Sequence, residues 1–102
     1  MTTTLERTDF ETKVRRVEAI LREAGAREVY VFGPAVEKGS RDLDDVRFAV
    51  RGLPPEVYYK TLADVWDVTG SFPTVQNLED DDPLARFLEQ HDELRPVDAF
   101  FR

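Results

Sequence analysis

Between Val29 and Val50 the chain sets out an apolar run, a Gly33-Pro34 turn, Ser40, three aspartates (Asp42, Asp44 and Asp45) and then Arg47. Carboxylates can hold a divalent cation, and a glycine turn at a helix start offers backbone amides to a phosphate. A strand that ends in such a turn and is followed by carboxylates is how many phosphate-and-metal sites are built. Other chemistry is poorly supplied. The chain has no cysteine, which removes thiol catalysis, disulfides and Cys-ligated zinc. Its one histidine, His91, cannot make a histidine cluster and reads as an exposed residue after a helix.

The elements that must position these residues are readable from spacing. Met1–Arg7 is polar and threonine-rich and is expected to be disordered, with Thr8 and Glu11 forming a capping box at a helix start. Phe10, Val14, Val17 and Leu21, with Ile20 beside them, then form one apolar helix face that ends at Gly25. Glu28–Phe32 is rich in β-branched and aromatic residues and predicts a central strand. Pro34 suits the first position of a short helix, Pro34–Lys38, where its missing N–H is not needed. From Val46 to Val50 the pattern alternates, which puts Val46, Phe48 and Val50 on one face and Asp45, Arg47 and Ala49 on the other.

Beyond a Gly52-to-Pro55 turn, Tyr58, Leu62 and Val65 predict a second long helix, with Trp66 expected in the core. Phe72–Leu78 is a third strand, with Pro73 near its start. The acidic run Glu79–Asp82 leads into a last helix marked by Leu84, Phe87 and Leu88, with Asp82 as its N-cap. Arg95–Arg102, with Val97, Phe100 and Phe101, reads as a terminal strand or core plug, or as an arm that packs on a partner. Alternating helices and strands predict an α/β domain with a small mixed β-sheet and helices packed on it.

With 102 residues, 41% of them hydrophobic, one domain with a single modest core is expected. The net charge of −7 argues against a nucleic-acid binder, which needs clustered lysine and arginine, and suits a cationic partner surface or simple solubility. No apolar run approaches the ~20 residues of a membrane span, and Met1–Thr8 lacks the apolar core of a signal peptide. A soluble, cytoplasmic protein is the expectation.

From about Val14 to Glu93 the chain resembles the minimal nucleotidyltransferases of the DNA polymerase β-like superfamily. Members carry a strand ending in Gly-Ser, a short helix, an Asp-x-Asp at the start of the next strand, and a third aspartate on a later strand. The resemblance implies that fold for residues 1–102. It also implies two divalent metals, held by three carboxylates, that align a nucleoside triphosphate for transfer. Gly33 matches the motif glycine, but Pro34 stands where the serine should be, which removes a hydroxyl and an N–H from the phosphate site. The first metal aspartate falls on Asp45, the second on Arg47 and the third on Thr74, with Val75 and Asn77 as neighbours if the register slips.

Two decoys lie nearby. Gly39-Ser40 precedes a loop rather than ending a strand. Asp42-Leu-Asp44 is an intact Asp-x-Asp, but the alternation of the following strand turns both carboxylates away from Asp45 unless a bulge or irregular loop intervenes. At ~4 Å and an effective dielectric of ~20, Arg47 opposes each unit of metal charge by about 4 kcal/mol. It is expected instead to pair with Asp45 or Asp44.

The reading that follows is a degenerate, catalytically inactive member of the family, without a cofactor, that acts through protein contacts. Relatives of this size often pair with helical HEPN-domain proteins as antitoxin to toxin, so the resemblance implies a HEPN-type partner or a homo-oligomer. The alternative is an active transferase, using Mg²⁺ and ATP, that moves AMP to a protein or small molecule through Asp45 with Asp42 or Asp44. A third reading is a metal-free phosphate site built from Arg47, the amides after Gly33 and Lys38 or Arg41.

Overall fold

A computed structural model describes residues 2–78, 83–90 and 94–101. In chain order it contains α1 (Thr2–Glu23), β1 (Glu28–Phe32), α2 (Pro34–Lys38), β2 (Arg47–Arg51), α3 (Tyr58–Thr69), β3 (Val75–Asn77), α4 (Pro83–Gln90), β4 (Arg95–Pro96) and α5 (Val97–Phe100). Single 3₁₀ turns at Leu43–Asp45 and Pro55–Val57 precede β2 and α3. The four strands form one open sheet in the order β3-β2-β1-β4. β1 is antiparallel to both β2 and β4, while β2 and β3 are parallel and joined through α3. This is a mixed α/β architecture. Among the described residues no helix is long and apolar enough to cross a membrane.

Period-two alternation gives the sheet two buried faces. Val29, Val31, Phe48, Val50 and Val75 lie in one cluster with Phe10, Val14, Val17 and Leu21 of α1 and Val65 of α3. Phe32 and Ala49 form a second cluster with Leu78 and with Leu88 of α4, and Tyr30 and Leu94 pack against it. The larger core therefore sits between the sheet and the α1–α3 pair. At the end of α1, Gly25 has φ 123°, and a Cβ there would stand 2.9 Å from Pro54 Cδ. Only glycine lets the helix turn so close to the start of α3.

Several boundaries differ from the sequence expectation. α1 begins at Thr2, so Thr8 lies inside the helix rather than capping it, and the segment expected to be disordered is helical from Thr2. No proline or glycine interrupts residues 2–8, and adding a residue to an existing helix is far easier than nucleating one. β3 is shorter than Phe72–Leu78 because Phe72 and Pro73 lie before its first pairing residue. Trp66 is 47% exposed rather than core. Thr61 is buried in its place, with its hydroxyl donating to Val57 O at 2.7 Å. Phe87 is likewise half exposed, while Leu88 is buried. The acidic run Glu79–Asp82, the Asp82 cap and His91 lie outside the described residues.

The Arg95–Phe101 segment is both strand and plug. Arg95 and Pro96 pair with Val31 and Tyr30 on the outer edge of β1. Val97 is then buried, and the rings of Phe100 and Phe101 stand 6.2 and 6.0 Å from that of Phe10. Arg15 joins Asp98 at 2.9 Å across the same seam.

Candidate functional site

Gly33 ends β1 with φ 92° and ψ −162°, a conformation open to glycine and strained for other residues. Its carbonyl accepts from the amides of Val36 and Glu37, each at 3.0 Å, so α2 turns away directly behind it with Pro34 in its first turn. Arg47, the first residue of β2, pairs with Phe32 and projects on the same face as Tyr30, Phe32 and Ala49. Its stem covers the glycine. A Cβ on Gly33 would meet Arg47 Cδ at 3.1 Å, Arg47 Cγ at 3.2 Å and Asp45 O at 3.4 Å.

The three aspartates are turned to different partners. Asp45 Oδ2 accepts from Ser40 Oγ at 2.6 Å. Asp44 Oδ1 accepts from Ser71 Oγ at 2.6 Å, reaching the loop that follows α3. Asp42 Oδ1 accepts from the Asp44 amide at 3.0 Å and caps the 3₁₀ turn, while its own amide donates to Ser40 Oγ at 3.2 Å. The irregular loop that would have been needed to realign Asp42 and Asp44 is present as this turn. It sends their carboxylates elsewhere.

The expected pairing of Arg47 with Asp45 or Asp44 does not occur. Among the described residues the Arg47 side chain makes no hydrogen bond or ion pair: its stem is laid over Gly33, while the Asp45 and Asp44 carboxylates turn toward Ser40 and Ser71. Thr74, the third metal position by count, accepts at its carbonyl from the Phe48 amide at 2.9 Å, which sets it level with Arg47 in the parallel β2–β3 pair. Its hydroxyl carries no charge to offset the guanidinium. Of the neighbours, Val75 is buried in the larger core, and Asn77 donates weakly to Leu53 O at 3.4 Å.

These groups do not fit a two-metal centre. Asp45 is the one carboxylate at the mouth of β2, it is committed to Ser40, and a cation lies two residues on. Among the described residues no cluster of three or more histidines and carboxylates could hold a metal. A phosphate site assembled from Arg47 and Arg41 is not formed either. The Arg41 guanidinium lies 5.6 Å from the centre of the Phe10 ring and 5.3 Å from that of Phe100, on the α1 side of the sheet. Lys38 is exposed at the end of α2.

Sequence reasoning missed Ser40 and Ser71 as the partners that dispose of two aspartates. A serine two residues before an aspartate is a turn signal that fits the Asp42 amide on Ser40 Oγ, but the Ser40–Asp45 bond spans five residues and the Ser71–Asp44 bond 27, which no local pattern covers. It also missed the hydroxyl of Tyr58, which donates to Val75 O at 2.6 Å on the outer side of β3. Burial, with the neighbouring Tyr59 a smaller contribution, raises the Tyr58 pKa above its ordinary value.

The fold and this loop define an α/β protein with a four-stranded open mixed sheet and a glycine turn covered by an arginine. No protein-family model matches the chain, and comparisons with curated proteins and with solved structures find no match.

Proposed function

We propose that the chain is a nucleotidyltransferase-like scaffold that has given up metal-dependent transfer and works by binding a protein partner. The observation that carries this reading is the position of Arg47 over Gly33. In the resemblance, that glycine and the next strand's second carboxylate bracket the nucleotide's phosphates and metals. Here the space against the glycine holds a side chain of fixed positive charge. The order β1, short α2, β2, α3, β3, with β2 and β3 parallel, supports the scaffold part of the reading.

On this reading the partner is of the helical HEPN type, with this chain as the antitoxin of the pair. The competing reading, transfer of AMP from ATP with Mg²⁺, needs Asp45 together with Asp42 or Asp44, and their carboxylates face three separate donors. Incubation with labelled ATP, Mg²⁺ or Mn²⁺ and the product of the adjacent gene tests both. A stable complex without label transfer is expected. Transfer that disappears in Asp45→Ala, or a monodisperse monomer that ignores that product, overturns the proposal.

A further inference from the structure

Trp66 and Phe72 make an exposed aromatic pair, 47% and 72% accessible, with ring centroids 5.3 Å apart and planes at 70°. Tyr59, seven residues before Trp66 on α3 and so on the same helix face, is 81% accessible and extends the row. Isolated exposed apolar residues need no explanation, but three large rings along one edge do. Beside Phe72 lies a hollow of about 310 Å³ walled by Leu43, Val46, Ser71, Phe72 and Pro73, and among the described residues its single charged group is Asp44. Asp44 Oδ1 is taken by Ser71. Oδ2 has no hydrogen-bond partner among the described residues.

We propose that this surface docks a basic amphipathic segment of a protein partner. Apolar side chains of that segment cover Trp66 and Phe72, and an arginine guanidinium enters the hollow, pairs with Asp44 and lies on the Phe72 ring. The inference rests on the protein-contact reading above and assigns it a place. Charge complementarity selects the occupant: among the described residues the hollow has one anion and no cation, and the chain as a whole carries −7. Arginine suits it better than lysine because its flat, weakly hydrated fork can bond a carboxylate and stack on a ring together. A second copy is a poor fit, since a twofold contact here would bring Asp44 to its own mate with no cation in either lining.

The test uses a synthetic amphipathic helix of about fifteen residues, leucine on one face and arginine on the other, titrated into the intact protein. Trp66 is the only tryptophan of the chain, so its fluorescence reports this site alone. A saturable change is expected, weakened about tenfold by Phe72→Ser and by Asp44→Asn. Asp9→Asn, which removes an equal charge at an exposed position on α1, should leave it unaltered. Circular dichroism verifies that each variant is folded, and Trp66→Phe, read by calorimetry, provides a milder change at the same place. Equal weakening by Asp9→Asn and Asp44→Asn would reduce the effect to diffuse charge attraction and overturn the proposal. So would undiminished binding in Phe72→Ser, or a concentration-dependent dimer of the protein alone that shifts Trp66 emission. If the adjacent-gene product binds native protein and Phe72→Ser alike, the surface is wrong while the protein-contact reading stands. If it binds neither, that reading fails.

Discussion

Arg47 rests on Gly33, with its Cδ and Cγ 3.1 and 3.2 Å from where a Cβ on that glycine would stand. The glycine is thus required twice, once for a backbone angle of φ 92° and once for room. The two requirements can be separated by experiment.

Gly33→Ala should destabilise the fold by roughly 1–3 kcal/mol from backbone strain, with a smaller addition from contact with Arg47. Arg47→Ala alone, at an exposed position without an ion pair among the described residues, should stay within about 0.5 kcal/mol. In the double variant the contact part alone should be recovered, on the order of 0.5–1 kcal/mol. Urea denaturation of the four proteins gives the cycle. Full recovery in the double variant would mean that strain at Gly33 is not backbone in origin.

Tyr58→Phe removes the hydroxyl that covers Val75 O on the outer edge of β3. A loss of about 1 kcal/mol is expected, and the uncovered carbonyl leaves an edge open to pairing with other chains. Light scattering on warming should therefore begin earlier in Tyr58→Phe than the change in midpoint alone explains.

Alkaline pH should weaken the fold through two tyrosines. The Tyr30 hydroxyl is held by Glu28, which is the main reason that its pKa is raised, with burial second. Tyr58 is raised by burial. A group that binds its proton more tightly when folded contributes stability fully present below its unfolded pKa, about 10 for tyrosine, and lost as pH climbs through the folded value. Urea midpoints should be flat across neutral pH and fall above pH ~10, and Tyr30→Phe and Tyr58→Phe should each shallow that fall. An unchanged slope in both variants would assign the decline to other groups.

The aromatic seam between α1 and α5 should be costly to open. Phe10 is buried against Phe100 and Phe101, so Phe10→Ala is expected to cost about 3–5 kcal/mol. Arg41→Ala, which removes a guanidinium from the Phe10 and Phe100 rings, should cost about 0.5–1 kcal/mol. Thermal melts followed by circular dichroism distinguish the two scales.

The helix face Phe10, Val14, Val17 and Leu21 is readable from spacing because burial on one side of a helix has no other simple pattern. All four are buried. The alternation that separates Phe48 and Val50 from Arg47 is readable for the same reason. Trp66 is not, because size and apolarity suggest the core although its position on α3 lies about a quarter-turn from Val65. Thr61 occupies the buried arc instead, made acceptable by its bond to Val57 O. The lie of Arg47 depends on the φ of Gly33 and on the 3₁₀ turn at Leu43–Asp45, neither of which leaves a periodic trace. The partners of Asp44 and Asp45 are legible only in three dimensions.

The pairing of β4 with β1 also orders events in time. β1 and β2 meet through a connection that holds α2 and a single 3₁₀ turn, whereas the outer edge of β1 is covered by Arg95 and Pro96, much further along in sequence. Closing a long loop is entropically slower to repay than closing a shorter one. During synthesis, then, the first strand stands with one flank bare until residues 95–101 leave the ribosome. In that interval the nascent chain is most exposed to mispairing and to capture by chaperones.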